Sequence, residues 1–193
     1  MPLAIFDLDN TLVNRAAAFR SWAEWFATQR GLDSAHAVSW MEAADEDGER
    51  SRTALFAAAR AEFRLHESAR ELAAAWWPAY LNFYRCADDT LEALNLLRAQ
   101  GWKIGIATNG DQGQEEKLRR AGLDRLVDAW CVSELVGHAK PDPQIFRLVA
   151  ERCSATLEGA WMIGDSAQAD IARRARRGDL KRLAPPRSGL ERE

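Results

Sequence analysis

Two aspartates, Asp7 and Asp9, lie two residues apart near the start of the chain, directly after a short apolar segment. The segment Leu3–Phe6 is continuously apolar and too short for a helix, which predicts a buried β-strand. A carboxylate can act as a nucleophile, and a second one on the same face of the strand can act as acid and then as base. By itself such a pair is more often a helix cap or a pair of loop carboxylates, so its interpretation depends on the partners that the rest of the chain supplies.

Further polar side chains follow other apolar segments of the chain. Thr108 and Asn109 come after one such segment and Asp165 after another, while Lys140 lies in a loop before a predicted helix. Apolar segments alternate with helical ones, which predicts a parallel sheet connected by right-handed crossovers. Because the carboxyl ends of parallel strands meet at one edge of a sheet, we expect these side chains to converge there.

Such a cluster has a defined chemistry. Three carboxylates repel one another unless a cation lies between them, and the hard oxygens of Asp7, Asp9 and Asp165 are suited to Mg²⁺. Lys140 adds positive charge, and Thr108 with the backbone that follows it offers donors for phosphate oxygens. A cation, a lysine and fixed donors around a carboxylate nucleophile are the requirements of phosphoryl transfer through an aspartyl-phosphate.

The residues between the first strand and the second have a helical pattern. Large apolar side chains recur every three or four residues in 16–30, and the pattern repeats in 51–66 and 67–84. The acidic segment 42–50 is interpreted as a loop or a short exposed helix. We therefore expect residues 14–87 to form an all-helical insert of roughly bundle size.

Composition excludes several functions. The chain of 193 residues is 47% hydrophobic and has a formal net charge of -3, which disfavours nucleic acid and anionic membranes as partners. Its three cysteines are unevenly spaced and indicate buried thiols in a reducing compartment. No signal peptide or membrane anchor precedes the first strand, so a cytoplasmic location is expected. The oligomeric state is not predicted.

Four ordered segments of the chain resemble the motifs of the haloacid dehalogenase-like (HAD) hydrolase superfamily. They are residues 6–12, 107–110, 139–143 and 163–166, the last continuing to Asp170. Each segment is weak evidence alone, but all are present in order, and the resemblance extends from residue 3 to about residue 172. It implies an α/β fold: a Rossmann-like parallel sheet core with an inserted all-helical cap domain.

The resemblance also implies a division of the chain. Residues 1–13 and 88–193 are expected to form the catalytic core, and residues 14–87 the cap domain, which in this superfamily closes over the core and selects the substrate. The last ~13 residues are expected to be a disordered tail. Residues 179–183 make a poor strand, so the sequence leaves open whether a fifth strand forms.

The resemblance assigns roles to the reacting groups. It implies that Asp7 is the nucleophile and Asp9 the acid/base. It also implies that the Thr108 hydroxyl donates a hydrogen bond to the phosphate and that Lys140 stabilises developing charge. Thr108, Asn109 and Lys140 are the predicted phosphate-binding residues.

It assigns the metal as well. Mg²⁺ is expected to be bound by the carboxylate of Asp7, the backbone carbonyl of Asp9 and the carboxylate of Asp165, with Asp170 in a supporting position. The dehalogenases that name the superfamily lack the second aspartate, so the presence of Asp9 favours a phosphatase. The predicted partner is a small phosphorylated metabolite.

Two alternatives remain open at the level of sequence. A phosphotransferase such as a mutase would retain the phosphoryl group, and a catalytically weak binding or regulatory protein could be built on the same fold. The residues of the predicted cap domain do not indicate which phosphomonoester is bound.

Overall fold

The computed structural model of this chain describes residues 1–48, 50–166, 168–170 and 180–183. The chain divides into two compact units: Met1–Val13 together with Cys86–Glu193, and Asn14–Arg85. We call the first the sheet unit and the second the helical unit. That they act as catalytic core and cap remains a prediction.

The sheet unit is built on five parallel strands in the order β3-β2-β1-β4-β5. They are β1 (Leu3–Phe6), β2 (Lys103–Thr108), β3 (Ala129–Val132), β4 (Ala160–Ile163) and β5 (Leu180–Leu183). The central strand β1 pairs with β2 and β4, so that Phe6 lies opposite both Ile106 and Ile163. The predicted parallel α/β sheet is therefore confirmed.

The fifth strand settles a point that the sequence left open. β5 pairs with β4 along its whole length, from Leu180 opposite Ala160 to Leu183 opposite Ile163. A Lys-Arg pair at its centre conceals the strand in sequence, although charged residues are common on strands at a sheet edge. Residues 181–183 are thus strand rather than disordered tail, and the remainder of that predicted tail, 184–193, lies outside the described residues.

Among its described residues, the sheet unit has the α-helices α5 (Asp88–Ala99), α6 (Gly113–Arg120), α7 (Ser133–Val136) and α8 (Pro143–Arg152). The start of α8 is fixed as its sequence predicts, because the side chain of Asp142 accepts from the backbone N–H of Gln144 and Pro143 occupies the first turn. Ile145, Phe146 and Val149 are buried in the core that α8 shares with β1, β2 and β3. At about 1.5–3 kcal/mol for each buried side chain, this packing holds the strand ends in fixed positions.

The helical unit contains α1 (Arg15–Gln29), α2 (Ser34–Asp45), α3 (Arg52–Glu62) and α4 (Ala69–Tyr80). Phe19, Trp22 and Phe26 of α1 are buried as a stripe, while Trp25 of the same predicted stripe is exposed. No helix among residues 1–48, 50–166 and 168–170 combines the length and the apolarity needed to cross a membrane.

The interpretation of 42–50 as a loop or short exposed helix is wrong in its first half. Residues 42–45 complete α2, and only 46–48 form a short 3-10 helix. Asp45 is buried and forms ion pairs with Arg15 and Arg52, each at 2.5 Å. This acidic residue of segment 42–50 therefore forms ion pairs in the interior of the helical unit.

Candidate active site

The first two aspartates lie where β1 ends. The backbone N–H of Asp7 donates to the carbonyl of Ile163 at 2.8 Å, which fixes Asp7 against the neighbouring strand β4. The chain then turns at Asn10, whose φ of 58° is in the left-handed region that asparagine tolerates. The turn closes with the N–H groups of Leu12 and Val13 donating to the carbonyl of Leu8.

Asp7, Lys140 and Asp170 form a buried chain of charges. The Nζ of Lys140 donates to Asp7 Oδ1 at 2.5 Å and to Asp170 Oδ1 at 2.7 Å. All three side chains are almost inaccessible, with Asp7 only 7% exposed. Thr11 Oγ1 lies 3.5 Å from Asp7 Oδ2. The structure thus brings together three predicted site residues that are far apart in sequence.

The Asp7 carboxyl group is in an unfavourable setting for its charge. Burial raises its pKa from 3.8 to about 6, although the attraction of Lys140 acts in the opposite direction. The negative charge of Asp170 raises this pKa further, because both carboxylates share one ammonium group. The shared ammonium group of Lys140 therefore does not offset the effect of burial on the pKa of Asp7.

Asn109 holds the lysine in place. Its side-chain oxygen accepts from the backbone N–H of Lys140 at 2.8 Å, and its side-chain nitrogen donates to the carbonyl of Lys140 at 3.0 Å. The hydroxyl of Ser133 anchors the same turn by accepting from the N–H of Gly110. In the structure the Asn109 amide is thus a support for Lys140, and its predicted part in phosphate binding stays a prediction.

Asp170 is fixed by the loop after β4. Its Oδ2 accepts from the backbone N–H of Ser166 at 2.9 Å. Gly164 passes so close to this carboxylate that a Cβ atom at position 164 would overlap it. The glycine at position 164 is therefore required by the close approach of the Asp170 side chain.

Asp9 and Thr108 meet two side chains of α6 that the sequence analysis did not predict. Asp9 Oδ2 accepts from Lys117 Nζ at 2.7 Å and from Gln114 Nε2 at 3.0 Å. Gln114 Nε2 also lies 2.7 Å from the hydroxyl of Thr108, which is buried. The available signal was the spacing of two polar residues one turn apart, on the helix that follows the Thr108 strand end.

The donors for a cation are hard oxygens. Asp165 is exposed in the loop after β4, the strand that pairs with β1. No group of three or more His, Cys, Asp or Glu side chains in the described part of the chain is arranged to hold a metal ion. The predicted set requires only the carboxylates of Asp7 and Asp165 and the carbonyl of Asp9, all of the type that Mg²⁺ prefers. A cation bound there would favour the charged form of the Asp7 carboxyl group, which burial disfavours by raising its pKa.

A family model matches most of the chain. The family model described as haloacid dehalogenase-like hydrolase matches residues 1–172 of the chain. The chain belongs to the haloacid dehalogenase-like hydrolase family.

Two curated relatives are phosphatases by name. Over 99 residues the chain is 39% identical to the ribulose-1,5-bisphosphate 5-phosphatase of Halopiger xanaduensis, covering 51% of this chain and 41% of that protein. Over 94 residues it is 37% identical to the glyceraldehyde 3-phosphate phosphatase of Methanopyrus kandleri, covering 48% and 39%. The chain thus matches about two fifths of the length of each relative.

A solved structure has the same fold. The HAD-hydrolase YfnB from Bacillus subtilis, described as bound to magnesium, superimposes with a TM-score of 0.66 at 24% identity. The match covers 94% of this chain and 86% of that one.

Proposed function

We propose that this chain is a Mg²⁺-dependent phosphatase that releases phosphate from a small organic phosphomonoester through an aspartyl-phosphate on Asp7. The observation that carries the proposal is the buried contact of Lys140 with both Asp7 and Asp170. A buried carboxylate held by one shared ammonium group is costly for stability, which is typical of a functional site. The family and the names of the phosphatase relatives support the same activity.

The first step is attack by the ionised Asp7 carboxylate on phosphorus. A new bond joins a carboxylate oxygen to phosphorus, and the bond between phosphorus and the ester oxygen breaks. The departing oxygen takes a proton from Asp9, which acts as general acid. Lys140 and the Thr108 hydroxyl stabilise charge on the transferring phosphoryl oxygens.

The second step returns the enzyme to its starting state. Asp9, now ionised, takes a proton from a water molecule, whose oxygen attacks phosphorus and displaces the Asp7 carboxylate. Inorganic phosphate leaves with one oxygen atom from water. Asp9 regains its proton and Asp7 its charge, so atoms and protons balance over the cycle.

The metal ligands in this proposal are the carboxylate of Asp7, the carbonyl of Asp9 and the carboxylate of Asp165. When bound, Mg²⁺ supplies charge neutralisation that allows an anionic phosphate to approach the carboxylate nucleophile. Asp170 supports the site by holding Lys140.

Substrate choice is assigned to the helical unit. Residues 14–85 form a compact unit within the chain, inserted after the strand that carries Asp7 and Asp9. As a cap domain, it would exclude water during attack and contact the part of the substrate beyond the phosphate. The substrate class is a small phosphorylated metabolite.

The test is phosphate release from p-nitrophenyl phosphate and from a panel of phosphorylated metabolites, with and without a chelator. Asp7→Asn should reduce turnover by at least about a thousandfold, because the nucleophile is lost. Asp88→Asn is the matched control, since Asp88 is an exposed aspartate of the same unit, in the first turn of α5. Reaction in isotopically labelled water should place one labelled oxygen in the released phosphate.

Three results would contradict the proposal. Robust turnover by Asp7→Asn would exclude the aspartyl-phosphate. Turnover that is unchanged by the chelator would exclude the metal requirement. Transfer of the phosphoryl group to a second metabolite, without release of labelled phosphate, would indicate a phosphotransferase instead.

A further inference from the structure

Two side chains that contact Asp9 have no role in the mechanism described above. Gln114 and Lys117 are 6% and 8% exposed, and both donate to the same oxygen atom, Asp9 Oδ2. They lie one turn apart on α6, so a single helix face supplies both donors.

Gln114 links Asp9 to the phosphate-binding hydroxyl. Its Nε2 atom lies 3.0 Å from Asp9 Oδ2 and 2.7 Å from Thr108 Oγ1. Gly110 leaves room for this side chain, because a Cβ atom there would approach Gln114 Cγ to 2.8 Å. The amide therefore occupies a closely fitted place between the two predicted reacting positions.

The burial of Lys117 also points to function. An ammonium group removed from water loses hydration energy, and replacing both partners of a buried ion pair with well-packed apolar residues is often neutral or stabilising. Lys103 shows the alternative, since its side chain is 28% exposed in its pair with Asp128, against 10% for the side chain of Lys117. The lysine–aspartate pair is therefore weak evidence for a role of Lys117 in stability.

We propose that Gln114 and Lys117 are positioning residues for the acid/base Asp9. They hold its carboxyl group in the orientation that reaches the leaving-group oxygen of a phosphate bound at Thr108. This inference rests on the proposed phosphatase function. It goes beyond that function by assigning the orientation of the Asp9 carboxyl group to two residues that touch neither the nucleophile nor, in the mechanism above, the phosphate.

The inference has a specific kinetic consequence. Protonation by Asp9 matters most when the leaving group is a poor one, and hardly at all when it departs readily as an anion. General acid catalysis increases the rate about a hundredfold to ten-thousandfold, so a misplaced acid should lower the rate by part of this factor. A purely structural defect would instead lower kcat/KM by a similar factor for all esters.

The experiment measures kcat/KM over a series of phosphate esters from an alkyl phosphate to dinitrophenyl phosphate. For Gln114→Met and Lys117→Met we expect a loss of about tenfold to a hundredfold with the alkyl ester and less than about threefold with the dinitrophenyl ester. The dependence on leaving-group pKa should steepen in the same direction as in Asp9→Asn. Lys117→Arg, which keeps the charge, should recover most of the loss.

Matched controls come from the same unit. Lys103→Met removes a lysine–aspartate pair outside the site, and Gln112→Met changes an exposed glutamine directly before α6. Both should leave the dependence on leaving group unchanged. If a methionine variant fails to fold, Gln114→Glu and Lys117→Gln provide the same comparison with polar side chains.

The outcomes separate this inference from the proposed function. An active wild-type chain whose leaving-group dependence is unaltered by the Gln114 and Lys117 variants would overturn the positioning role alone. A wild-type chain that is inactive on every ester would overturn the phosphatase function, and this inference with it. A steeper dependence in the variants, absent from both controls, supports the proposal.

Discussion

The two units bury their aspartates in different electrostatic settings. In the sheet unit, Asp7 shares the single ammonium group of Lys140 with Asp170. In the helical unit, Asp45 lies between the guanidinium groups of Arg15 and Arg52. Asp7 therefore shares its cation with a second buried carboxylate, whereas Asp45 has two guanidinium partners, one of which also pairs with the exposed Asp47.

This difference indicates what each cluster does. Asp45 is 2% exposed and connects α1, α2 and α3 through its two arginines, one of which also lies over the ring of Trp76 at 4.8 Å. Such an arrangement fixes helices relative to one another. Burial of Asp7, by contrast, disfavours its charged form and raises its pKa to about 6. Asp7 also lies at strand ends that the pairing of the sheet already fixes. The sharing of one ammonium group by Asp7 and Asp170 is therefore better explained by a catalytic role than by a contribution to stability.

The largest expected effect on stability is at Asp45. Asp45→Asn leaves two guanidinium groups facing an uncharged amide, and removing one partner of a buried ion pair costs about 3 kcal/mol. The measurement is chemical denaturation followed by tryptophan fluorescence, which reports on the Trp-rich helical unit.

Asp47→Asn is the matched control for that change. Asp47 accepts from the same Arg15 at 3.2 Å, but its side chain is 78% exposed, so we expect a change below about 1 kcal/mol. Equal effects of the two substitutions would contradict the structural role assigned to Asp45.

The second expected effect has the opposite sign. Asp7→Asn should raise the free energy of unfolding by about 2 kcal/mol near pH 7.5 in metal-free buffer, because it removes a charge whose burial is unfavourable. In the wild-type chain the folded state retains a proton on Asp7 between about pH 4 and pH 6, where the unfolded chain has lost it. Wild-type stability relative to the variant therefore falls as the pH rises through this window.

The same pair of proteins provides the control. Below about pH 4 Asp7 is protonated in both states, so the advantage of Asp7→Asn should disappear. If the two proteins differ by the same amount at about pH 3.5 and about pH 7.5, the burial of charge at Asp7 is not the cause.

Much of the sheet unit could be predicted because local pattern and topology agree there. The segment Leu3–Phe6 is apolar throughout, and a parallel sheet places the residues after every strand at one edge. From these two facts alone, Asp7 and Thr108 were expected at the same edge. Lys140 could be placed only on the loop before α8, because loop conformation is set by long-range contacts such as that with Asn109.

The residues that escaped prediction lie on polar elements that tertiary structure turns inward. The sequence of α6 is rich in charged residues and resembles a solvated helix, so the burial of Gln114 and Lys117 is not visible in it. The same holds for Asp45 in an acidic segment. Polar side chains enter an interior where a partner from a distant segment satisfies them, and a single sequence does not display that pairing.

The smallest expected effect concerns the pH dependence of activity, which tests the setting of Asp7 without a substitution. Because only the ionised carboxylate attacks phosphorus, kcat/KM should fall about tenfold per pH unit below the pKa of Asp7, near 6 at low Mg²⁺. Raising the Mg²⁺ concentration should shift this acidic fall of the pH profile of kcat/KM to lower pH, since a cation beside the carboxylate favours its charged form. If kcat/KM falls at the same pH at every Mg²⁺ concentration, the metal does not neutralise the negative charge of Asp7.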